Sequence, residues 1–313
     1  MNRIPEECLP INSGLVIICT KSRPDDVRQA LTFVRADRSN AHVLIVDSSP
    51  DLKTSSVCAE RAHDQLDLTH VRAIPGLTRQ RNVGLEWAGR HGYELVHFID
   101  DDTRVQAGYL AAIEHQFKVD PAVAGVGGTV IDQARPQHIW IKKLFLLYSA
   151  KPGVILRSGR NTIGHYQGDD PEWVDWLPGC CMSYRLKSIS THRFDEDLEG
   201  YCWGEDFDFG FRVSRQNRLK IASGARVIHP QSPTNRLRTA ELAQSRTVLL
   251  NRWVKRHRID GMSLGAFWWS VTGEIALRSV GLIMEPRDRE EHMSVIVGTM
   301  RGARQILRHR SNP

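Results

Sequence analysis

Along its first hundred residues the chain alternates between two hydrophobic periods. Short apolar runs rich in β-branched residues, Leu15–Cys19, Val43–Val46 and Leu95–Ile99, predict strands buried on both faces. Between them, Pro24–Arg35, Ser55–Gln65 and Leu77–Arg90 carry apolar residues at helical spacing. Pro24 suits the opening turn of a helix, and Asp25 and Asp26 suit its positive end. This alternation predicts an α/β domain with a mostly parallel sheet flanked by helices. Ligands of such sheets bind at the carboxyl ends of the strands. Three of those ends are polar here: Thr20 and Arg23, then Asp47, then Asp100, Asp101 and Asp102.

The pattern loosens over residues 129–175, where Gly, Pro, His and aromatic residues mix with little period. Within it, IWIKKLFLLY (139–148) reads equally as an amphipathic interface helix or as a core element. Order returns with WVDWLPGCCMSYR (173–185), GYCWGEDFDFGFRVSR (200–215) and the strand-like RVIH (226–229). Beyond residue 236 the pattern is helical and basic. The expected organisation is a catalytic domain over 1–235, with halves of about 1–128 and 129–235, followed by a helical extension over 236–313.

With 313 residues, 41% hydrophobic and 25% charged, the chain is long enough to bury a core without disulfides or structural metals. Its charge of +6 comes entirely from the end of the chain. Residues 246–313 hold 12 Lys or Arg and 6 Asp or Glu, while residues 1–245 hold 30 of each. A basic tail on a neutral body suits an anionic surface such as a membrane or phosphates. No nucleic-acid-binding pattern accompanies it. The opening MNRIPEECLP has no apolar run, and the six cysteines include no CxxC spacing. Reduced thiols in a cytosolic compartment are the simpler expectation. The longest apolar stretch, residues 261–284, is interrupted by Glu274 and Arg278, which argues against a spanning helix.

Three consecutive carboxylates end the strand in HFIDDDTRV (97–105). Their mutual repulsion is relieved by a divalent cation with hard oxygen ligands, although an Asp helix cap is the plainer alternative. Asp47 in VDSSP either forms an Asx turn or accepts hydrogen bonds from a nucleotide. Arg79 and Arg81 open a helix, where cations oppose the dipole unless an anion sits there. Glu205 and Asp206 open another, as caps or as a general base whose pKa the neighbouring Phe207, Phe209 and Phe211 raise. His229 becomes a metal ligand only if the fold brings it to Asp102.

The order and spacing of these pieces resemble a family 2 glycosyltransferase of the GT-A fold. The matching segments are IICTKSRPDDVRQAL (17–31), LIVDSSP (44–50), GLTRQRNVGLEWA (76–88), VHFIDDDTRV (96–105), WLPGCCMSYR (176–185), GEDFDFGFRV (204–213) and VIHP (227–230). The resemblance implies an inverting enzyme that uses a nucleoside-diphosphate sugar and Mg2+ or Mn2+. Thr20, Arg23, Asp47, Arg79 and Arg81 would line the nucleotide pocket. Asp100 and Asp102 match the D-x-D carboxylates that bind the metal and the ribose, Asp100 and Asp101 would meet the nucleotide sugar, and His229 matches a histidine that completes the metal site in some members. Asp206, beside Glu205, matches the catalytic base. Trp176, Gly179 and Cys180 lie in the segment that shapes the sugar and acceptor pocket. The paired cysteines are a departure from the family pattern.

The expected role is synthesis of a bacterial cell-surface glycan or glycolipid, with a glycan or lipid-linked acceptor. A sugar nucleotidyltransferase is the rival enzyme, but IICTKSRP lacks the glycine-rich phosphate loop. A non-catalytic nucleotide-sugar-binding protein is the other rival, and it would not need Asp100, Asp102 and Asp206 together. The basic cluster RWVKRHR (252–258) precedes Leu264, Phe267, Trp268, Val271 and Ile275, which share one helical face. That face is expected to meet the inner membrane surface, with Trp268 and Trp269 at the interface. The alternatives are packing on the catalytic domain or on a second subunit.

Overall fold

The computed structural model describes residues 14–37, 41–62, 67–132, 139–162, 173–198, 202–232, 234 and 237–308. The opening MNRIPEECLP, Cys8 and the end of the helix expected to reach Gln65 lie outside them. The chain begins β1 (Gly14–Thr20), α1 (Pro24–Ala36), β2 (His42–Asp47), α2 (Lys53–Ala62), β3 (Leu68–Arg72), α3 (Leu77–Arg90) and β4 (Leu95–Ile99). It continues β5 (Arg104–Val105), α4 (Tyr109–Val119), β6 (Val123–Val130), α5 (Ile139–Leu144), β7 (Cys181–Arg185), α6 (Glu205–Ser214) and β8 (Arg218–Ile228). Three helices close it: α7 (Thr239–Arg256), α8 (Leu264–Met284) and α9 (Arg289–Arg308).

The eight strands form one sheet in the order β3-β2-β1-β4-β7-β6-β8-β5. Four of its seven pairings are parallel: β3-β2, β2-β1, β1-β4 and β6-β8. The sheet is therefore mixed, because β7 runs antiparallel between β4 and β6, and β5 antiparallel to β8. β1 and β4 are buried at every position, as their unbroken apolar runs require. Val16 and Ile18 point into a core with α1, α2 and α4, and Leu15, Ile17 and Cys19 into a second with α3 and α6.

A third core joins α6 to the C-terminal helices. Trp176, Phe207, Phe211, Leu250, Trp253 and Phe267 meet there, and the Trp253 indole N–H donates to Asp208 at 3.0 Å. The α8 face expected to meet a membrane is part of this core. Phe267 and Val271 are buried in it, and Leu264, Trp268 and Ile275 pack against it. The aromatic residues of α6 offer that face a protein partner, so its apolar spacing is satisfied internally. α9 packs closely on α7, since a Cβ at Gly298 would lie 2.1 Å from the Ala240 carbonyl oxygen. Glu274 of α8 is buried between Arg160 and Arg246, which ties the segment after α5 to α7 and α8. The IWIKKL segment forms α5, a surface helix with no buried residue. Among the described residues, no helix is long and apolar enough to cross a membrane.

Candidate active site

The expected residues gather at the carboxyl ends of β1 and β4. Gln80 fixes the opening between β1 and β2 by donating to the carbonyls of Thr20 at 2.9 Å and Val46 at 2.7 Å. After β4 the chain turns, with the Thr103 amide donating to the Asp100 carbonyl at 3.0 Å. The turn sends three successive carboxylates in three directions. Asp101 accepts from Thr20 Oγ1 at 2.7 Å and from Arg23 at 2.9 Å. Asp100 accepts from Arg81 at 3.2 Å. Asp102 accepts from the Ser232 amide at 2.8 Å and lies 2.9 Å from His229 Nε2.

His229 reaches Asp102 because of β5. This two-residue strand directly follows the aspartates and pairs Arg104 with Ile228 at the end of β8. One ligand atom each from Asp100, Asp102 and His229 lies within 4.8 Å of the others. Two carboxylates and an imidazole are a fitting donor set for Mg2+ or Mn2+. A pocket of about 200 Å3 opens beside Asp101, Asp102, Pro230 and Ser232.

Arg81 connects this centre to the start of α6. It is 1% exposed and donates to Glu205 at 2.8 Å, to Asp100, and to the Gly179 carbonyl at 3.1 Å. Asp206 accepts from the Gly179 amide at 2.9 Å and the Phe207 amide at 2.8 Å, so the loop before β7 positions it. A Cβ at Gly179 would lie 3.0 Å from Asp206 and 3.2 Å from Arg81, so a side chain there would crowd both. Ser22, Cys202 and Gln231, all close in sequence to site residues, hold positive φ without being glycine. Such strain persists only where surrounding structure enforces it.

The electrostatics follow burial. Burial pushes Asp101 up to about 7 against the pull of Arg23 and Thr20. Burial, then the Asp206 charge, push Glu205 up to about 8 despite Arg81. Asp206 is raised as well, by burial. Burial would also raise Asp102, but its bonds to His229 and Ser232 hold it well below the carboxylate range. Burial lowers His229, yet the bonds to Asp102 and Cys180 outweigh it and raise its pKa to about 11.

The side chains of Asp47, Arg79 and Trp176 are held by other partners, while Cys180 meets the site at His229. Asp47 is fully buried and accepts from the Ser49 amide at 2.7 Å, with His70 at 3.1 Å and Arg72 at 3.3 Å also on it. Arg79 is surface-exposed, 3.7 Å from Glu196, and does not join Arg81. Trp176 is buried under α6 as core rather than pocket wall. Cys180 is buried with its sulfur 3.8 Å from that of Cys181, and no disulfide forms among the described cysteines. Ser232, Gln80 and the Cys180–His229 contact escape sequence reasoning, because each acts through backbone or through a distant strand.

Residues 15–191, more than half of the chain, match the model of glycosyl transferase family 2, and the chain belongs to that family. Its fold is similar to that of the mannosyltransferase PcManGT from Pyrobaculum calidifontis, solved in complex with GDP-Man and Mn2+. That likeness has a TM-score of 0.60 at 16% identity and covers 96% of this chain and 91% of the other. It is also similar to residues 1–349 of TarS from S. aureus, with a TM-score of 0.53 at 15% identity, covering 93% of this chain and 80% of that one. No curated protein matches the chain in sequence.

Proposed function

We propose that this chain is a divalent-cation-dependent glycosyltransferase that moves a sugar from a nucleoside-diphosphate sugar to an acceptor hydroxyl with inversion. One observation carries the reading: Asp206 is bound to the same Gly179 whose carbonyl accepts from Arg81, and Arg81 also holds Asp100 of the three-ligand group. The base and the cation site are thus one hydrogen-bonded unit. The GDP-Man and Mn2+ bound to the similar mannosyltransferase support this choice of donor and cation.

Asp100, Asp102 and His229 would hold the cation. When bound, it supplies positive charge against the leaving diphosphate. Arg23, 17% exposed at the edge of the site and paired with Asp101, is assigned to the diphosphate. Asp206 takes the proton from the acceptor oxygen, and burial, by raising its pKa, makes it a stronger base for that transfer. A single displacement from the face opposite the diphosphate inverts the anomeric carbon, so no enzyme nucleophile is needed. Arg81 has three protein partners already and acts by positioning.

We assign residues 1–235 to catalysis and 236–313 to a helical region that supports α6. The acceptor is read as a glycan or lipid-linked sugar of cell-surface synthesis, met at the cytoplasmic side. A sugar nucleotidyltransferase fits less well, because the family match is to glycosyl transferases. The test is turnover of UDP-, GDP- and dTDP-sugars with Mg2+ or Mn2+. One donor should be consumed, and either excess chelator or Asp102→Ala should abolish this. Full activity under chelation would overturn the reading.

A further inference from the structure

Surface helices ordinarily carry charge on their outer face. α8 does not. Over its 21 residues the exposed positions Trp269, Thr272, Ala276, Val280 and Ile283 recur at spacings of three and four, which makes one outer stripe. Neither charged residue of the helix lies on it. Glu274 is buried with Arg160 and Arg246, and Arg278 turns to Glu291 and His292 of α9. Val280 is 56% exposed and Ile283 is 75% exposed.

The stripe continues onto α5. Phe145 and Trp269 lie with ring centroids 5.0 Å apart, and the Trp269 indole N–H donates to the Leu144 carbonyl at 2.8 Å. Held beside α8 in this way, α5 presents Trp140 at 71% and Leu144 at 61% exposure. Residues 139–160 contain no Asp or Glu, yet hold Lys142, Lys143, Lys151, Arg157 and Arg160. Arg160 is committed to Glu274, and Lys142 lies near Arg278 and Glu285. The segment stays against the start of α8, where the Ser263 amide donates to the Arg157 carbonyl at 2.9 Å.

We propose that this surface, built from α5 and the outer stripe of α8, docks flat on an anionic lipid bilayer. The occupant must be apolar at its centre and anionic at its rim, and a bilayer with acidic headgroups is both. Trp140 and Trp269 suit the depth between headgroup and acyl chain, and Lys142 and Lys143 can extend their ammonium groups to phosphate. A second copy fits worse, since a two-fold contact through this face sets the same lysines against each other. The helix lies in the membrane plane, in keeping with its being too polar to span.

The experiment is co-sedimentation of the full chain with vesicles of phosphatidylglycerol or phosphatidylcholine, over a series of salt concentrations. The full chain should bind the anionic vesicles and be released by salt. Trp140→Glu with Ile283→Glu should weaken partitioning about tenfold or more, and each Lys142→Gln or Lys143→Gln about fivefold. Brominated acyl chains should quench tryptophan fluorescence of the unaltered chain, a readout independent of variant folding. Absence of binding to anionic vesicles, or equal binding by the double variant, would overturn the proposal. So would a dimer in light scattering that the double variant dissolves. No donor or acceptor is needed, so a failure here is separate from failure of the transferase reading.

Discussion

Two buried charge clusters, one at the carboxyl ends of β1 and β4 and one around Glu274 of α8, are balanced in opposite ways. In the C-terminal one, a single carboxylate meets two arginines. Burial would raise Glu274, but Arg160 and Arg246 outweigh it and hold its pKa at about 2. In the other, Asp100, Asp101, Asp102, Glu205 and Asp206 share Arg23, Arg81 and His229, and Asp101 and Glu205 are pushed up to about 7 and about 8. The first carries more positive than negative charge. The second is short of positive charge, as a site that receives a cation and a proton should be.

Replacing Asp206 by Asn should break the second cluster where it matters most. Turnover should fall by about 10²–10⁴ while donor binding persists, measured by steady-state kinetics beside calorimetry. In the unaltered enzyme, activity should fall as pH drops through a pKa above the ordinary carboxylate range, because the base must be ionised. That limb belongs to Glu205 and Asp206 together. A collapse of donor affinity in the variant would make Asp206 a donor ligand instead.

Glu274→Gln should break the first cluster, leaving the buried Arg160 and the partly exposed Arg246 without their shared carboxylate. A loss of about 3–5 kcal/mol is expected by denaturant unfolding, with turnover per folded molecule nearly unchanged. The sign for pH follows from the lowered pKa: the stability from Glu274 is present above about pH 4.5 and is lost as pH falls toward 2. The smallest effect sharpens the contrast. A cation entering between Asp102 and His229 displaces the proton held there, so binding should release about one proton, read by calorimetry in buffers of differing ionisation enthalpy.

The early βαβ units and the DDD turn were legible because buried parallel strands leave unbroken apolar runs. β6, VAGVGGTV, carries no such signal, since three glycines dilute it. They are there for packing: a Cβ at Gly125 would lie 2.7 Å from Leu219, and one at Gly127 would lie 2.7 Å from Ile221. Arg79 and Arg81 look equivalent in a string, but positions two apart on a helix point to different sides. Asp47 looked open because its partner Arg72 lies on β3, which pairs in register beside it and has a weak pattern of its own. The apolar face of α8 reads the same whether it meets lipid or Phe207 and Trp253, and only the fold distinguishes them.

The reversal of β7 bears on how such an enzyme can change over evolutionary time. Because this strand runs opposite to β4, it enters the sheet at the edge where β4 leaves, and the Asp100 amide donates to the Cys180 carbonyl at 3.3 Å. A parallel strand of five residues would put that loop about 16 Å away, at the far edge. The chain between Val130 and Pro178 is therefore anchored at both ends by the sheet. Changes of length between those ends leave the approach of Asp100 to the Cys180 carbonyl fixed by the backbone.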